Sequence, residues 1–119
     1  MMADGVIFIG WTGAVRGREQ ASQTVFQEAM GFWGRLQAAG EIEGFDVVLL
    51  DAHGGDLGGF FLLKGEREKL ARVRASEEME HLLVRANLIV EGLGAIGGFT
   101  GDGVARQMAV FREASSSLA

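Results

Sequence analysis

Apolar residues recur with two different periods along this chain, and the period predicts the elements of secondary structure. Residues 5–11 form a short apolar run between glycines, which is typical of a β-strand. Val25, Ala29 and Phe32 recur at the spacing of one helical face, which predicts a long helix over residues 18–39. This helix therefore presents an apolar stripe to the element that packs against it.

The middle of the chain predicts a β-hairpin. Residues 45–50 and 57–63 are rich in valine, leucine and phenylalanine, and the polar, glycine-rich segment 51–56 separates them. Gly58 and Gly59 lie inside the second arm, where missing side chains indicate a bulge or a close approach of two backbones.

Two short helices are predicted after the hairpin. Leu70 and Val73 lie on one helical stripe, whereas Met79 and Leu83 lie on another that has a different phase. Ser76 lies at the change of phase, and serine followed by acidic residues is a common helix start. We therefore predict one helix over about residues 66–74 and a second over about 77–86.

The end of the chain predicts a strand and a helix. The strand begins at Leu88 and continues through the glycine-rich residues 92–99. A short helix follows Asp102, and the serine-rich segment 114–119 is expected to be a flexible tail. The whole chain, 1–119, is predicted to be a single domain.

This order of elements predicts an α+β fold. The pattern β-α-β-β-α-β, with an extra C-terminal helix, is that of a ferredoxin-like sandwich, in which helices cover one face of a four-stranded antiparallel sheet. Ile7 and Ile9 point to one face of the first strand, and Val6 and Phe8 point to the other. Both faces are apolar but the helices cover one, so we expect a second copy of the chain to cover the other.

The order of elements and the hairpin resemble the dimeric α+β barrel superfamily over residues 5–100. The resemblance implies that two sheets pack face to face in a homodimer. Members of that superfamily include cofactor-free monooxygenases, isomerases and decarboxylases. No catalytic motif of a particular member is matched, so the resemblance implies a fold and not a reaction.

Composition narrows the classes of function. The 119 residues contain no cysteine, which excludes disulfides, thiolate nucleophiles and thiolate-bound metals. Sixteen acidic and eleven scattered basic residues give a net charge of −5, which argues against nucleic acid as a partner. The longest apolar runs are far too short to span a membrane and no export signal is evident, so we predict a cytoplasmic protein without a membrane partner.

We predict neither a cofactor nor a metal. Residues 92–97 match the pattern G-x-G-x-x-G, but the residues that follow them lack the helix, strand and acidic residue of a dinucleotide site.

One compact group of side chains consists of residue types that take part in catalysis or ligand binding. Asp51, His53 and Asp56 lie together in the hairpin turn, where a histidine oriented by a carboxylate can act as a general base. The same spacing offers ligands to a substrate or a metal. Aspartate and glycine are also the usual residues of ordinary turns, and this is the favoured interpretation.

A second group predicts a ligand pocket between the sheet and the first helix. Trp11, Phe26, Met30 and Trp33 can line such a pocket, although aromatic residues and methionine at helical spacing are more often part of a core or a subunit interface. Arg16, near the start of the helix, can anchor an acidic ligand.

Three hypotheses on function follow from the sequence. The first is a homodimer that binds a small, partly apolar molecule in a cavity between sheet and helix. The alternative is a cofactor-free oxygenase or isomerase that uses His53 with Asp51 or Asp56. The third is a structural or regulatory interaction module.

Overall fold

The computed structural model describes residues 3–118 and contains one larger and one smaller sheet. In chain order the elements are β1 (Gly5–Trp11), β2 (Gly13–Ala14), α1 (Glu19–Ala38), β3 (Gly44–Leu49), β4 (Gly59–Gly65), α2 (Arg67–Ala75), α3 (Glu77–Asn87), β5 (Val90–Glu91), β6 (Gly94–Phe99) and α4 (Asp102–Ser117). None of the helices in this described part is both long and apolar enough to cross a membrane.

The larger sheet has the strand order β3-β4-β1-β6, and each neighbouring pair is antiparallel. Strands β1 and β4 lie in the middle, as right-handed crossovers require. The helices α1, α2 and α3 pack on one face, and the core lies between them and the sheet. Ile7 and Leu63 of the sheet, with Trp33 of α1 and Met79 of α3, are at most 1% exposed. The predicted ferredoxin-like fold is therefore confirmed.

The predicted break between the second and third helices is also confirmed. Ser76 has an extended backbone (φ −72°, ψ 149°), and its Oγ accepts a hydrogen bond of 3.2 Å from the Met79 N–H. The close approach predicted for the hairpin is found at Gly58, whose N–H donates to the Trp11 carbonyl oxygen at 2.7 Å. A Cβ at Gly58 would lie 2.1 Å from the Thr12 carbonyl oxygen.

The predicted last strand differs from the structure. It is broken into β5, which pairs with β2 in the smaller sheet, and β6, which pairs with β1. The break lies at Gly92, which has φ +69° and where a Cβ would lie 2.2 Å from Thr12 Oγ1. The hydrophobic pattern did not contain this break, because it reflects the pairing of β5 with β2, which lies far away in the sequence.

Helix α4 is longer than the short helix predicted from the sequence. It continues to Ser117, since residues 102–117 contain no proline and serine is tolerated in helices. Residues 114–117, expected to fray, are therefore helical, and Ala119 lies outside the described residues. The flexibility of segment 114–119 and the single-domain organisation stay predictions.

Asp4 joins the start of α2 to α4. Its Oδ1 accepts a hydrogen bond of 2.9 Å from the Arg67 backbone N–H, and its Oδ2 pairs with the Arg106 guanidinium. The backbone hydrogen bond, followed by the side-chain bond and charge of Arg106, holds the pKa of Asp4 below its usual 3.8. A carboxyl whose pKa is lowered on folding stabilises the protein above its unfolded pKa and loses that contribution as the pH falls through the folded pKa.

We therefore expect Asp4→Asn to reduce the acid sensitivity of the protein. The wild-type melting temperature should fall more steeply than that of the variant as the pH drops below 3.8. Thermal melts of both proteins from neutral to acidic pH would measure this difference. Identical pH profiles would show that the ionised form of Asp4 does not contribute to the stability of the fold.

Candidate functional site

A cavity of about 450 Å³ lies between the inner face of the larger sheet and the helices α1 and α3. This volume is in the range of sites that hold small organic molecules. The sheet contributes Ile9, Trp11 and Phe61 to its wall. The facing helices contribute the apolar side chains Val25, Phe26, Ala29, Trp33, Leu82, Leu83 and Ala86.

Aromatic rings form much of one wall. The Phe61 ring lies 5.1 Å from the Trp11 ring and 5.2 Å from the Phe26 ring, measured between centroids. Trp33 meets Phe61 edge to face at 5.6 Å. Phe61 is thus in contact with three aromatic neighbours, and such rings offer large, rigid apolar surfaces to a flat ligand.

The wall has few polar groups. Ser22, Gln23 and Gln27 of α1 are its polar side chains, and no Asp, Glu, Lys, Arg or His among the described residues lines it. The Trp33 indole Nε1 is buried and has no hydrogen-bond acceptor within residues 3–118. Burial of an unpaired charge is costly, so these walls favour an uncharged molecule.

The smaller sheet forms part of the cavity rim. Ala14 pairs with Val90, and both side chains line the cavity. The Val15 N–H donates to the Ile89 carbonyl oxygen at 2.9 Å, which holds the two short strands together. Sequence reasoning missed this rim, because a pair of two-residue strands has no hydrophobic period.

The structure brings together three of the five residues predicted to bind a ligand. Trp11, Phe26 and Trp33 line the cavity, whereas Met30 packs against the core outside the cavity wall. Arg16 is exposed in the loop before α1 and does not line the cavity. The assignment of these residues to ligand binding stays a prediction.

The wall supplied by α3 was not assigned to the site from the sequence. The sequence places Leu83 on one helical stripe with Met79, and Leu82 and Ala86 follow the same helical period, so this stripe is the signal that could have identified them. A stripe shows that a helix face is buried, but not whether it faces core or cavity.

The hairpin turn lies apart from the cavity. Asp51, His53 and Asp56 are exposed, and none of them lines the cavity. His53 Nδ1 accepts a hydrogen bond of 3.2 Å from the Gly55 N–H, so the neutral ring donates from Nε2 to the Leu57 carbonyl oxygen at 2.7 Å. In the described residues no hydrogen bond joins His53 to either aspartate, and no three metal-ligating side chains come together. Both ring nitrogens are thus engaged in holding the turn.

Comparison with known proteins identifies the fold. No protein-family model and no curated protein sequence matches the chain. A dimeric protein of unknown function and ferredoxin-like fold from Bacteroides fragilis is similar in structure, with a TM-score of 0.56 and 13% identity, over 81% of this chain and 96% of that one. SnoaB, a cofactor-independent oxygenase from Streptomyces nogalater, is similar with a TM-score of 0.50 and 17% identity, over 83% of this chain and 93% of that one. At these identities the similarity establishes the ferredoxin-like fold.

Proposed function

We propose that this protein is a homodimer that binds an uncharged, largely apolar small molecule in the cavity between the sheet and α1 and α3. The observation that carries the proposal is the wall of the 450 Å³ cavity, which is aromatic and aliphatic and without an ionisable side chain in the part of the chain described. The amide groups of Gln23 and Gln27 are available to an oxygen or nitrogen atom of the ligand. A cytoplasmic location, expected from the sequence, stays a prediction.

The outer face of the larger sheet supports the homodimer. Phe8 pairs in register with Leu62 on one side and with Ile96 on the other, and all three lie on the face opposite the helices. The Phe8 and Phe60 rings are 5.0 Å apart, and Ile96 is 64% exposed. The Lys64–Asp46 ion pair (3.1 Å) lies on the same face beside Val6 and Leu62, so the apolar patch is centred on Phe8 and does not cover the whole face. An exposed apolar patch on a sheet is unusual on a monomer, and a second copy would cover it. The similar protein from Bacteroides fragilis is itself described as dimeric.

We expect Ala86→Phe to block the cavity. The larger side chain would occupy the space beside Leu82 and Leu83, because Ala86 lines the cavity and is half-buried. Affinity for an uncharged aromatic probe such as 1-anilinonaphthalene should fall by about tenfold or more, a loss of about 1.4 kcal/mol. Probe fluorescence, titrated against protein, measures this change.

Val84→Phe is the matched control, since Val84 lies on the same helix but is 58% exposed and does not line the cavity. Its affinity for the probe should equal that of the wild type. Equal affinity in all three proteins, or no binding by the wild type, would overturn the proposed site.

The cofactor-free oxygenase or isomerase that uses His53 ranks second. Its support is the similarity of fold to SnoaB, a cofactor-independent oxygenase. The geometry supports this enzymatic function less well than ligand binding, because His53 is exposed and both of its ring nitrogens are hydrogen-bonded to the backbone of the turn.

His53→Ala separates the two proposals. Loss of the two hydrogen bonds should lower the free energy of unfolding by about 1 kcal/mol. Probe affinity should not change, because His53 lies outside the cavity wall. Loss of probe binding by a folded His53→Ala protein would favour the second proposal.

A further inference from the structure

Helix α4 is almost entirely uncovered by its own chain. Of its residues only Gly103 is buried. Val104, Met108 and Phe111 recur at helical spacing and are 47%, 48% and 64% exposed. They form one apolar stripe, here called the α4 stripe, and the described residues leave it open to solvent.

The fold fixes the start of α4 firmly. Gly101 has φ +54°, and a Cβ at Gly103 would lie 2.1 Å from the Asp4 carbonyl oxygen. Asp4 also pairs with Arg106 one helical turn further on. The direction in which α4 leaves the domain is therefore set by specific contacts, although the rest of the helix has no cover.

A helix in this situation needs a packing partner. Its sixteen residues are close to the length at which isolated helices are marginal in water, and most helical stability in proteins comes from burial of an apolar face. The α4 stripe has the spacing of such a face.

We infer that the α4 stripe packs on the second copy of this chain, so that α4 is an arm that holds the homodimer together. This inference rests on the homodimer of the proposed function and adds to it a second contact surface. The arm joins the sheet directly, because α4 follows the edge strand β6, whose Ile96 belongs to the apolar outer face.

The area of the interface favours a second copy of the chain as the partner of the α4 stripe. Four strands spaced about 4.8 Å apart and about six residues long present roughly 400 Å², so two sheet faces bury roughly 800 Å². Stable specific interfaces bury about 1,200–2,000 Å² in total. A helix of sixteen residues is about 24 Å long and about 10 Å wide. Two such helices, each covering an equal area of the partner, add roughly 1,000 Å², which brings the total into that range.

Phe111→Glu tests the arm. The substitution introduces a charge at the most exposed position of the stripe, and we expect the dissociation constant of the dimer to rise roughly thirtyfold. Ala109→Glu, on the opposite side of α4, is the matched control and should change it less than about threefold. Sedimentation velocity over a range of protein concentrations measures both, and circular dichroism verifies that each variant is folded.

Hydrogen exchange supplies a second measurement. Amides of segment 104–117 in the wild type should exchange more slowly at concentrations where the dimer forms than where it is dissociated, whereas in Phe111→Glu this difference should vanish.

The possible outcomes distinguish the inference about the α4 arm from the proposal that the protein is a homodimer. A wild type that is monomeric throughout overturns both. A wild-type dimer whose dissociation constant does not change in Phe111→Glu overturns only the arm. A wild-type tetramer that Phe111→Glu converts to a dimer also overturns it, since the stripe would then join two dimers.

Discussion

Phe8→Asp is expected to convert the proposed homodimer to monomers at micromolar concentration. Phe8 lies in the middle of the outer sheet face, between Leu62 and Ile96 in register and against the Phe60 ring. A carboxylate at this point would be buried between two apolar faces without a partner, which costs several kcal/mol, or about a hundredfold or more in the dissociation constant. Sedimentation velocity or light scattering measures the change.

Two further variants serve as controls for the Phe8→Asp experiment. Phe8→Ala removes apolar area without adding charge, and we expect it to weaken the dimer less than Phe8→Asp does. Val84→Asp places the same charge on the exposed face of α3, away from the sheet, and should leave the dimer unchanged. A folded Phe8→Asp protein that dimerises like the wild type would contradict the assignment of this face to the interface.

Trp33→Ala is expected to have the largest effect on stability. Trp33 is 1% exposed, and its ring contacts Phe32 at 5.3 Å and Phe61 at 5.6 Å between centroids. Truncation of a buried tryptophan to alanine costs about 3–5 kcal/mol, because apolar contacts are lost and a cavity remains. Denaturant unfolding, followed at one fixed protein concentration, measures this loss.

The half-buried Trp11 is the control for Trp33. Trp11→Ala should cost less, about 1–2 kcal/mol, because part of the side chain already faces solvent in the native protein. Trp33→Phe should also cost less than Trp33→Ala, since it keeps an aromatic ring and removes an indole N–H that has no acceptor among residues 3–118. A loss below about 1 kcal/mol for Trp33→Ala would contradict the position of Trp33 in the core.

Local patterns were sufficient to predict most of the fold. The stripe that begins at Val25 identified α1, and the change of phase at Ser76 separated α2 from α3. Each of these signals lies within a few neighbouring residues, so the sequence contains it directly. The split of the last strand was missed, because β5 pairs with β2 in the smaller sheet, where the Thr12 N–H from far earlier in the chain donates to the Glu91 carbonyl oxygen at 2.7 Å.

The candidate site was harder to predict from the sequence than the fold was. Phe26 and Met30 are four residues apart on α1 and therefore neighbours on one helix face, yet of these two only Phe26 lines the cavity. The difference depends on where the sheet and α3 leave space, which no spacing along α1 encodes. The turn at His53 shows the opposite error. Its residue types suggested a catalytic or ligand-binding role, but in the structure the imidazole ring is hydrogen-bonded to backbone groups of the turn.

Preference for an uncharged ligand over its charged counterpart tests the central claim most directly. The probes 1-anilinonaphthalene and 1-anilinonaphthalene-8-sulfonate differ by one negative charge, and the two tryptophans of the chain both line the cavity and report on occupancy. Quenching of tryptophan fluorescence should show that the wild type binds the neutral probe at least about tenfold more tightly, and that Ala86→Phe abolishes this preference. Equal or tighter binding of the sulfonate would contradict an uncharged cavity ligand.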